Sequence, residues 1–255
     1  MRLTNRVILI TGGTSGIGLA LAAELSKRRN TVLVTGRDPA KLAAIEARLP
    51  GVHTFQSDVS DPRAITTLHD AVLARFPTLD TLINNAGIMR NLKLDKPREL
   101  TDITREIEVN LSGPIRMVQQ FLPHLLRVER ALIVNVSSGL AFIPFPASPV
   151  YSATKAALHS YSQSLRMQLR GTPVAVVELA PPGVETPLFR DEFAEETKGM
   201  KAMVSREARH RKALTATPRS DLREPLKSPP EPPEFKTLSL EGASRSADLG
   251  GGAAW

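Results

Sequence analysis

The chain of 255 residues contains no cysteine, and only 4% of its residues are aromatic. Without cysteine it can form no disulfide framework, thiolate zinc site, iron–sulfur cluster or cysteine nucleophile. Its longest apolar runs, such as Val7-Ile8-Leu9-Ile10, are as long as a strand and fall far short of the ~18 residues that a membrane span needs. No basic, apolar and small-residue pattern opens the chain, so no signal peptide is expected. A cytoplasmic protein without a membrane span is therefore expected.

The net charge of +7 raises the question of a nucleic-acid partner. No stripe of basic residues interleaved with aromatic residues is present, so a mildly basic surface is the better interpretation and no nucleic-acid partner is predicted. The histidines show no metal-ligand spacing, and no metal site is predicted; they are His53, His69, His124, His159 and His210. His159 lies one helical turn beyond the candidate catalytic pair described below and is interpreted as a packed or solvent-facing residue.

Up to about residue 180, short β-branched runs alternate with segments of helical spacing. The predicted strands span 6–11, 31–35, 52–56, 80–84, 131–137 and 173–179. The predicted helices span 16–28, 39–48, 61–75, about 99–127 and 150–170. Apolar strands separated by amphipathic helices indicate a parallel sheet covered on both faces. The predicted fold is therefore α/β, a doubly wound and mostly parallel sheet of Rossmann type with six strands.

The composition changes beyond about residue 200. Residues 218–233 contain six prolines in sixteen positions, and apolar residues become isolated. Such a segment cannot bury enough surface to offset the entropy of ordering it. The sequence therefore predicts a catalytic domain over 1–200 and a largely disordered tail over 201–255, with an irregular docked extension as the alternative.

A glycine-rich turn follows the first predicted strand and reads Thr11-Gly12-Gly13-Thr14-Ser15-Gly16-Ile17-Gly18. A strand, a glycine turn and a helix let the backbone approach a pyrophosphate, while the helix N-terminus supplies free N–H groups. Gly12 suits the tight turn, Gly16 the close approach and Gly18 the packing of helix on strand. This turn predicts a dinucleotide site.

Arg37 follows the second predicted strand, where an acidic residue would accept hydrogen bonds from the adenosine ribose of NAD. Gly36 leaves room for a 2′-phosphate, and the Arg37 guanidinium can bind it. NADP(H) is therefore favoured over NAD(H). Asp38 is the counter-argument, because a carboxylate one residue later could still reach the ribose.

Tyr151 and Lys155 lie four residues apart on a predicted helix and so share a face. An ammonium group near a phenol favours the phenolate, which would let Tyr151 exchange a proton with a carbonyl or alcohol oxygen. Ser138 follows the fifth predicted strand, at the carboxyl edge where active sites of parallel sheets lie. Its hydroxyl could hold the substrate oxygen beside the tyrosine.

Together these motifs resemble the short-chain dehydrogenase/reductase superfamily, in its single-domain form. The similarity covers roughly residues 3–190, and its motifs are Thr11–Gly18, Asp58-Val59, Asn84-Asn85-Ala86-Gly87, Asn110, Ser138 and Tyr151-x-x-x-Lys155. The double proline in Ala180-Pro181-Pro182-Gly183 resembles a subgroup linked to bacterial D-alanine-transfer operons.

The resemblance implies further roles. Asp58 and Val59 would contact the adenine, Asn85 the adenosine-side ribose, and Asn110 a water that passes protons by way of Lys155. Val184 and Thr186 would hold the nicotinamide end. The catalytic residues implied are Asn110, Ser138, Tyr151 and Lys155. The cofactor-binding residues implied are Thr11, Gly12, Thr14, Ser15, Gly16, Ile17, Gly18, Arg37, Asp58, Val59, Asn85, Ala86, Gly87, Tyr151, Lys155, Val184 and Thr186.

The C-terminal part departs from the family pattern. The family continues with a further helix and a seventh strand, which closes one sheet edge and often forms the dimer surface. No seventh strand is visible here, and a divergent or out-of-frame C-terminus would explain the Arg-, Pro- and Ser-rich composition. An exposed sheet edge would weaken assembly, so a homo-oligomer is possible but in doubt.

Three functions compete at this point. The first is an oxidoreductase that moves hydride between NADP(H) and a small carbonyl or alcohol substrate. The second is a nucleotide-binding regulatory or inactive protein, against which the complete set of Asn110, Ser138, Tyr151 and Lys155 argues. The third is an epimerase or dehydratase, which normally needs a longer substrate domain. The apolar stretch with Phe142, Ile143 and Phe145 indicates a hydrophobic carbonyl substrate, with core packing as the alternative explanation of these residues.

Overall fold

The computed structural model describes residues 3–182 and residue 188. Within these residues six strands form one sheet, namely β1 (Val7–Ile10), β2 (Thr31–Gly36), β3 (Val52–Gln56), β4 (Thr81–Asn84), β5 (Ala131–Val136) and β6 (Val174–Leu179). All neighbouring strands pair in parallel, in the order β3-β2-β1-β4-β5-β6. The chain order reverses between β1 and β4, and ligands of doubly wound sheets bind at this switch point. The predicted α/β fold and its six strands are confirmed.

Helices connect these strands. They are α1 (Gly16–Ser26), α2 (Pro39–Arg48), α3 (Pro62–Arg75), α4 (Leu100–Ile103), α5 (Arg105–Ile107), α6 (Gly113–Leu125) and α7 (Pro149–Gln168). Proline occupies the first turn of α2, α3 and α7, where a missing N–H costs no hydrogen bond. Among the described residues, no helix has both the length and the hydropathy to cross a membrane.

One predicted helix differs in its interior. The segment predicted as a single helix over about 99–127 consists of α4, α5, a π-turn at Glu108–Ser112 and α6. A π-turn widens the helix and is frequent at functional sites. It carries Asn110, whose side chain is fully buried.

Apolar side chains alternate between the two faces of the sheet. Leu9 packs in a cluster with residues of α3, α6 and α7, whereas Ile8 and Ile10 pack in a second cluster with residues of α1 and α2. Because successive strand residues point to opposite faces, strands covered on both sides are apolar throughout. The two clusters hold the carboxyl ends of β1, β4 and β5 next to one another.

Candidate active site

The glycine-rich turn is tied to the end of β4. The Thr11 hydroxyl accepts hydrogen bonds from the backbone N–H groups of Asn85 and Ala86, each at 3.0 Å. The Asn85 amide donates to the carbonyls of Thr11 and Gly12 at 3.0 and 3.1 Å. Gly12 has a φ of +66°, and a Cβ there would stand 2.8 Å from the Ala86 Cα. Only glycine fits this approach of the two loops.

The N-terminus of α1 follows this turn. Ser15 occupies the N-cap position, is exposed, and makes no side-chain capping hydrogen bond. The first backbone N–H groups of an α-helix have no partner inside the helix. This helix start, which also contains Thr14, Gly16, Ile17 and Gly18, therefore offers donors that fit the pyrophosphate of a dinucleotide.

At the end of β2, Arg37 and Asp38 differ in what they contact. The Arg37 side chain is 54% exposed, and its Nη1 lies 3.8 Å from Asp58 Oδ2. Asp58 Oδ1 accepts from the Ser60 N–H and hydroxyl at 2.9 and 2.7 Å, while Val59 is buried in the core. Asp38 Oδ1 caps α2 by accepting from the Ala40 and Lys41 N–H groups at 2.9 and 3.2 Å.

Tyr151, Lys155 and Ser138 come together at the carboxyl end of β5. Tyr151 and Lys155, one turn apart on α7, are 7% and 3% exposed. The Lys155 ammonium donates to the Val136 carbonyl at 2.9 Å and lies 5.5 Å from the centre of the Tyr151 ring. Ser138 forms a side-chain hydrogen bond with Tyr151 that lowers the pKa of the phenol, and it accepts the Leu140 N–H at 3.1 Å.

Burial dominates the proton affinities of this pair. Loss of water around Tyr151 raises the pKa of its phenol to about 12, against the smaller lowering effect of Ser138. Burial of Lys155 lowers the pKa of its ammonium to about 8. Burial is therefore the largest influence on the pKa of Tyr151, and the expected lowering of that pKa by Lys155 stays a prediction. At neutral pH the phenol holds its proton and the lysine is mostly charged.

Asn110 anchors the loop after β4. Its Oδ1 accepts the Ile88 N–H at 2.8 Å, and its Nδ2 donates to the Ile88 carbonyl at 2.8 Å and to Thr154 Oγ1 at 3.2 Å. A Cβ at Gly87 would stand 3.2 Å from Asn110 Oδ1 and 3.7 Å from Lys155 Nζ. The predicted residues Gly87, Asn110 and Lys155 are thus brought together, with the Asn110 side chain bonded to protein groups.

A residue that sequence reasoning missed is Glu106. Its side chain is fully buried, it accepts the Arg90 N–H at 3.1 Å, and its charge raises the pKa of Tyr151. Its spacing of four residues before Asn110 is the only sequence signal, and it is too common to be informative. Val184 and Thr186 lie outside the described residues. Among the described residues, no group of three or more His, Asp or Glu side chains could hold a metal ion.

The sequence model of the short chain dehydrogenase family matches residues 6–197. The chain belongs to this family.

Two curated relatives and one solved structure illustrate the similarity. The "Uncharacterized oxidoreductase DltE" of Bacillus subtilis is 47% identical over 189 residues, which cover 74% of this chain and 75% of the relative. The "NADP-dependent 3-hydroxy acid dehydrogenase YdfG" of Salmonella typhi is 32% identical over 176 residues, 69% of this chain and 71% of the relative. The 3-ketoacyl-(acyl-carrier-protein) reductase of Brucella melitensis, crystallised with NADH, superposes with a TM-score of 0.70 and 30% identity, over 74% of this chain and 83% of the other.

These similarities confirm several predictions. The chain is a short-chain oxidoreductase that acts on CH–OH/C=O groups and uses a nicotinamide cofactor. The identity to DltE confirms the subgroup that the double proline indicated. The glycine turn and the start of α1 provide a cradle that fits such a cofactor.

Proposed function

We propose that the protein is an NADPH-dependent reductase of apolar carbonyl compounds. The observation that carries this proposal is the buried Tyr151, hydrogen-bonded to Ser138 and set beside the Lys155 ammonium. A phenol that keeps its proton at neutral pH is suited to donate it, which is what carbonyl reduction needs from its acid. Tyr151 is therefore proposed as the acid of the reductive step.

Each of four residues has a separate task in this proposal. The bound cofactor supplies the hydride. Tyr151 gives its proton to the oxygen of the carbonyl as that oxygen gains charge, and Ser138 donates a hydrogen bond to the same oxygen. The Lys155 charge stabilises the phenolate that Tyr151 becomes. Asn110 holds Ile88 through its side-chain amide and supports the proton relay that reprotonates Tyr151. Because this amide is bonded to protein groups, a water of the relay would hydrogen-bond to the main chain of Asn110.

The preference for NADPH rests on the end of β2. Asp38 Oδ1 caps α2, which directs this carboxylate to helix N–H groups rather than to a ribose. Arg37 is half-exposed and can form a charge-assisted pair with a 2′-phosphate. The proposed cofactor set also includes Asp58, Val59, Val184 and Thr186 in the roles stated above.

The substrate class follows from the apolar surroundings of Tyr151. Met89 packs directly against Tyr151, and Leu140, Phe145, Ala147 and Leu188 pack around them. Phe142 and Ile143 are 56% and 74% exposed in the segment between Ser138 and Tyr151. An apolar cluster around the reacting tyrosine, with further exposed apolar groups in the same segment, favours binding of an apolar carbonyl compound.

Loss of nicotinamide absorbance tests the proposal. NADPH and the protein are mixed with a panel of ketones and aldehydes of increasing apolar length, and we expect turnover that improves with that length. If the protein binds NADPH but oxidises it with no member of the panel, the result would favour the alternative of a nucleotide-binding regulatory or inactive protein. Parallel runs with NADH measure the cofactor preference.

A further inference from the structure

A network of short hydrogen bonds begins at Ser137, the residue before Ser138. The Ser137 hydroxyl donates to Glu178 Oε1 at 2.5 Å. Glu178 Oε2 lies 2.7 Å from His159 Nδ1, and His159 Nε2 lies 2.7 Å from the Gln163 side-chain amide. The imidazole thus accepts from the amide and donates to the carboxylate. This hydrogen-bond network joins the ends of β5 and β6 to α7.

This hydrogen-bond network holds the backbone segment that carries Ser138. The Ser137 N–H donates to the Leu179 carbonyl at 2.9 Å, and the Gly139 N–H donates to the Pro181 carbonyl at 3.0 Å. Ser138 is therefore flanked on both sides by bonds to the β6 side. The Ser137–Glu178 bond is the only one of the three that runs through side chains, so substitution can remove it without touching the backbone.

The order of the groups excludes a nucleophilic role. In a hydrolytic triad the imidazole stands between the hydroxyl and the carboxylate. Here the carboxylate stands in the middle, and Ser137 is 2% exposed. The Glu178 side chain is 11% exposed, and a carboxylate with little access to water needs its hydrogen bonds. The arrangement is thus suited to hold a backbone segment in place.

His159 also contacts the segment that follows Ser138. The ring of Phe142 stands edge-on to the imidazole, with the ring centres 4.7 Å apart. Phe142 belongs to the segment that follows Ser138 in the chain. The pair of Glu178 and His159 therefore contacts that segment on both sides of Ser138.

We propose that Glu178, held by His159, is a positioning residue for Ser138 and acts through Ser137. This inference rests on the proposed function in one respect, the role of Ser138 toward the carbonyl oxygen. Glu178 touches neither substrate nor cofactor in this proposal. It keeps the Ser138 hydroxyl at hydrogen-bond distance from Tyr151.

An activity-independent experiment uses the fact that the chain has two tyrosines. With ¹³C-labelled tyrosine, the ring Cζ resonance of Tyr151 is assigned with Tyr151→Phe. Ser138→Ala removes the hydrogen bond to the phenol and moves this resonance. We expect Glu178→Gln and Ser137→Ala to move it in the same direction. The matched control is Glu46→Gln, which changes a similar hydroxyl–carboxylate bond at 2.6 Å from Thr54 and leaves the resonance in place.

Kinetics give the second readout. In the background that retains Ser138, Glu178→Gln should lower kcat about 10- to 100-fold with little change in KM, since displacement of a reacting group slows the chemical step. In the Ser138→Ala background, Glu178→Gln should cost nothing further, because there is no hydroxyl left to position. Glu46→Gln should leave kcat unchanged in both backgrounds.

Two results would overturn the proposal. One is a Tyr151 Cζ resonance that stays at its wild-type position in the folded Glu178→Gln and Ser137→Ala variants. The other is an equal loss of kcat in both backgrounds, which would mean that Glu178 acts by another route. If wild type reduces no carbonyl, the proposed function fails, yet the resonances still decide whether Glu178 positions Ser138.

Discussion

Tyr151 and Lys155 illustrate how burial sets protonation. Desolvation disfavours the charged form of each group, so the pKa of the phenol rises to about 12 and that of the ammonium falls to about 8. The buried charge of Glu106 adds to the rise for Tyr151. Tyr151 is therefore a proton donor at neutral pH, and its strength as a donor depends on whatever stabilises the phenolate once it forms.

Replacement of Tyr151 by phenylalanine tests the acid. The ring packing is kept and the oxygen is lost, so kcat should fall by at least ~10²-fold, the usual effect of a lost acid–base group, while NADPH binding measured by fluorescence stays close to wild type. The control is Tyr161→Phe on the same helix, which should keep full activity. Full activity of Tyr151→Phe would exclude it as the acid.

Arg37→Asp tests the choice of cofactor. The substitution puts a like charge next to the expected 2′-phosphate, so affinity for NADPH should fall by about 2–5 kcal/mol, and NADH should be tolerated better. Isothermal titration with both cofactors measures this change. Arg48→Asp, the same charge reversal at an exposed position late in α2, should alter neither affinity. An unchanged ratio in Arg37→Asp would mean that another group discriminates.

At the scale of elements, the π-turn at Glu108–Ser112 determines what Asn110 can reach. A buried amide in a regular helix would compete with the helix backbone. Here the amide bonds both backbone groups of Ile88 and the hydroxyl of Thr154. The turn thus joins the loop after β4 to α7. This fixes the distance between the loop that carries Gly87 and the helix that carries Lys155.

Asn110→Ala should loosen this junction. The N–H and carbonyl of Ile88, which are partly buried, would lose their partners, and an unsatisfied group costs up to about 1–3 kcal/mol where water cannot reach it. We expect the free energy of unfolding in urea to fall by about 2–4 kcal/mol, with a loss of kcat. Gln119→Ala, at an exposed position of α6, should change stability by no more than about 0.5 kcal/mol. If Asn110→Ala were as stable as this control, the junction would not depend on the amide.

At the scale of the whole molecule, the buried Lys155 links stability to pH. Between about pH 8 and 10.5 the unfolded chain binds a proton on this lysine that the folded protein does not. Stability contributed by this group therefore rises with pH through that window. Tyr151 acts in the opposite sense above pH 10, where the unfolded chain loses a proton that the folded protein keeps until about 12.

Unfolding in guanidinium between pH 8 and 10 should reveal this link. A pKa difference of this size predicts that the wild type gains about 2 kcal/mol relative to Lys155→Met across the interval. Methionine fills a similar volume and does not titrate. Parallel pH dependences of the two proteins would show that burial of the ammonium has no such cost.

The division into a domain over 1–200 and a tail over 201–255 stays a prediction, because the tail lies outside the described residues. The expectation that 205–255 contain no seventh strand, the possible homo-oligomer and the cytoplasmic location also stay predictions. Limited proteolysis of the full chain should leave a fragment of about 200–210 residues that still binds NADPH, since cleavage concentrates in unstructured termini. Retention of the intact chain under conditions that nick exposed loops would favour the docked extension.

The strands, the helices and the glycine turn follow from local patterns, and the predicted strands agree with the observed ones to within one residue. Continuous apolar runs, helical spacing and glycines at a strand end depend on neighbours along the chain, so a sequence displays them directly. The adjacency of Ser138 and Tyr151 was also predictable, because Ser138 follows β5 at the carboxyl edge of the sheet and α7, which carries Tyr151 in its first turn, is the next α-helix after that strand.

Other features depend on tertiary contacts. The bond between Ser137 and Glu178 spans 41 residues, and that between Asn110 and Thr154 spans 44; neither leaves a periodic trace in the sequence. The raised pKa of Tyr151 depends on how much protein surrounds the phenol and on Glu106, which only the packed chain brings near it. Local propensities therefore determine which elements form, whereas desolvation and long-range hydrogen bonds, which exist only after packing, determine how the side chains of the site behave.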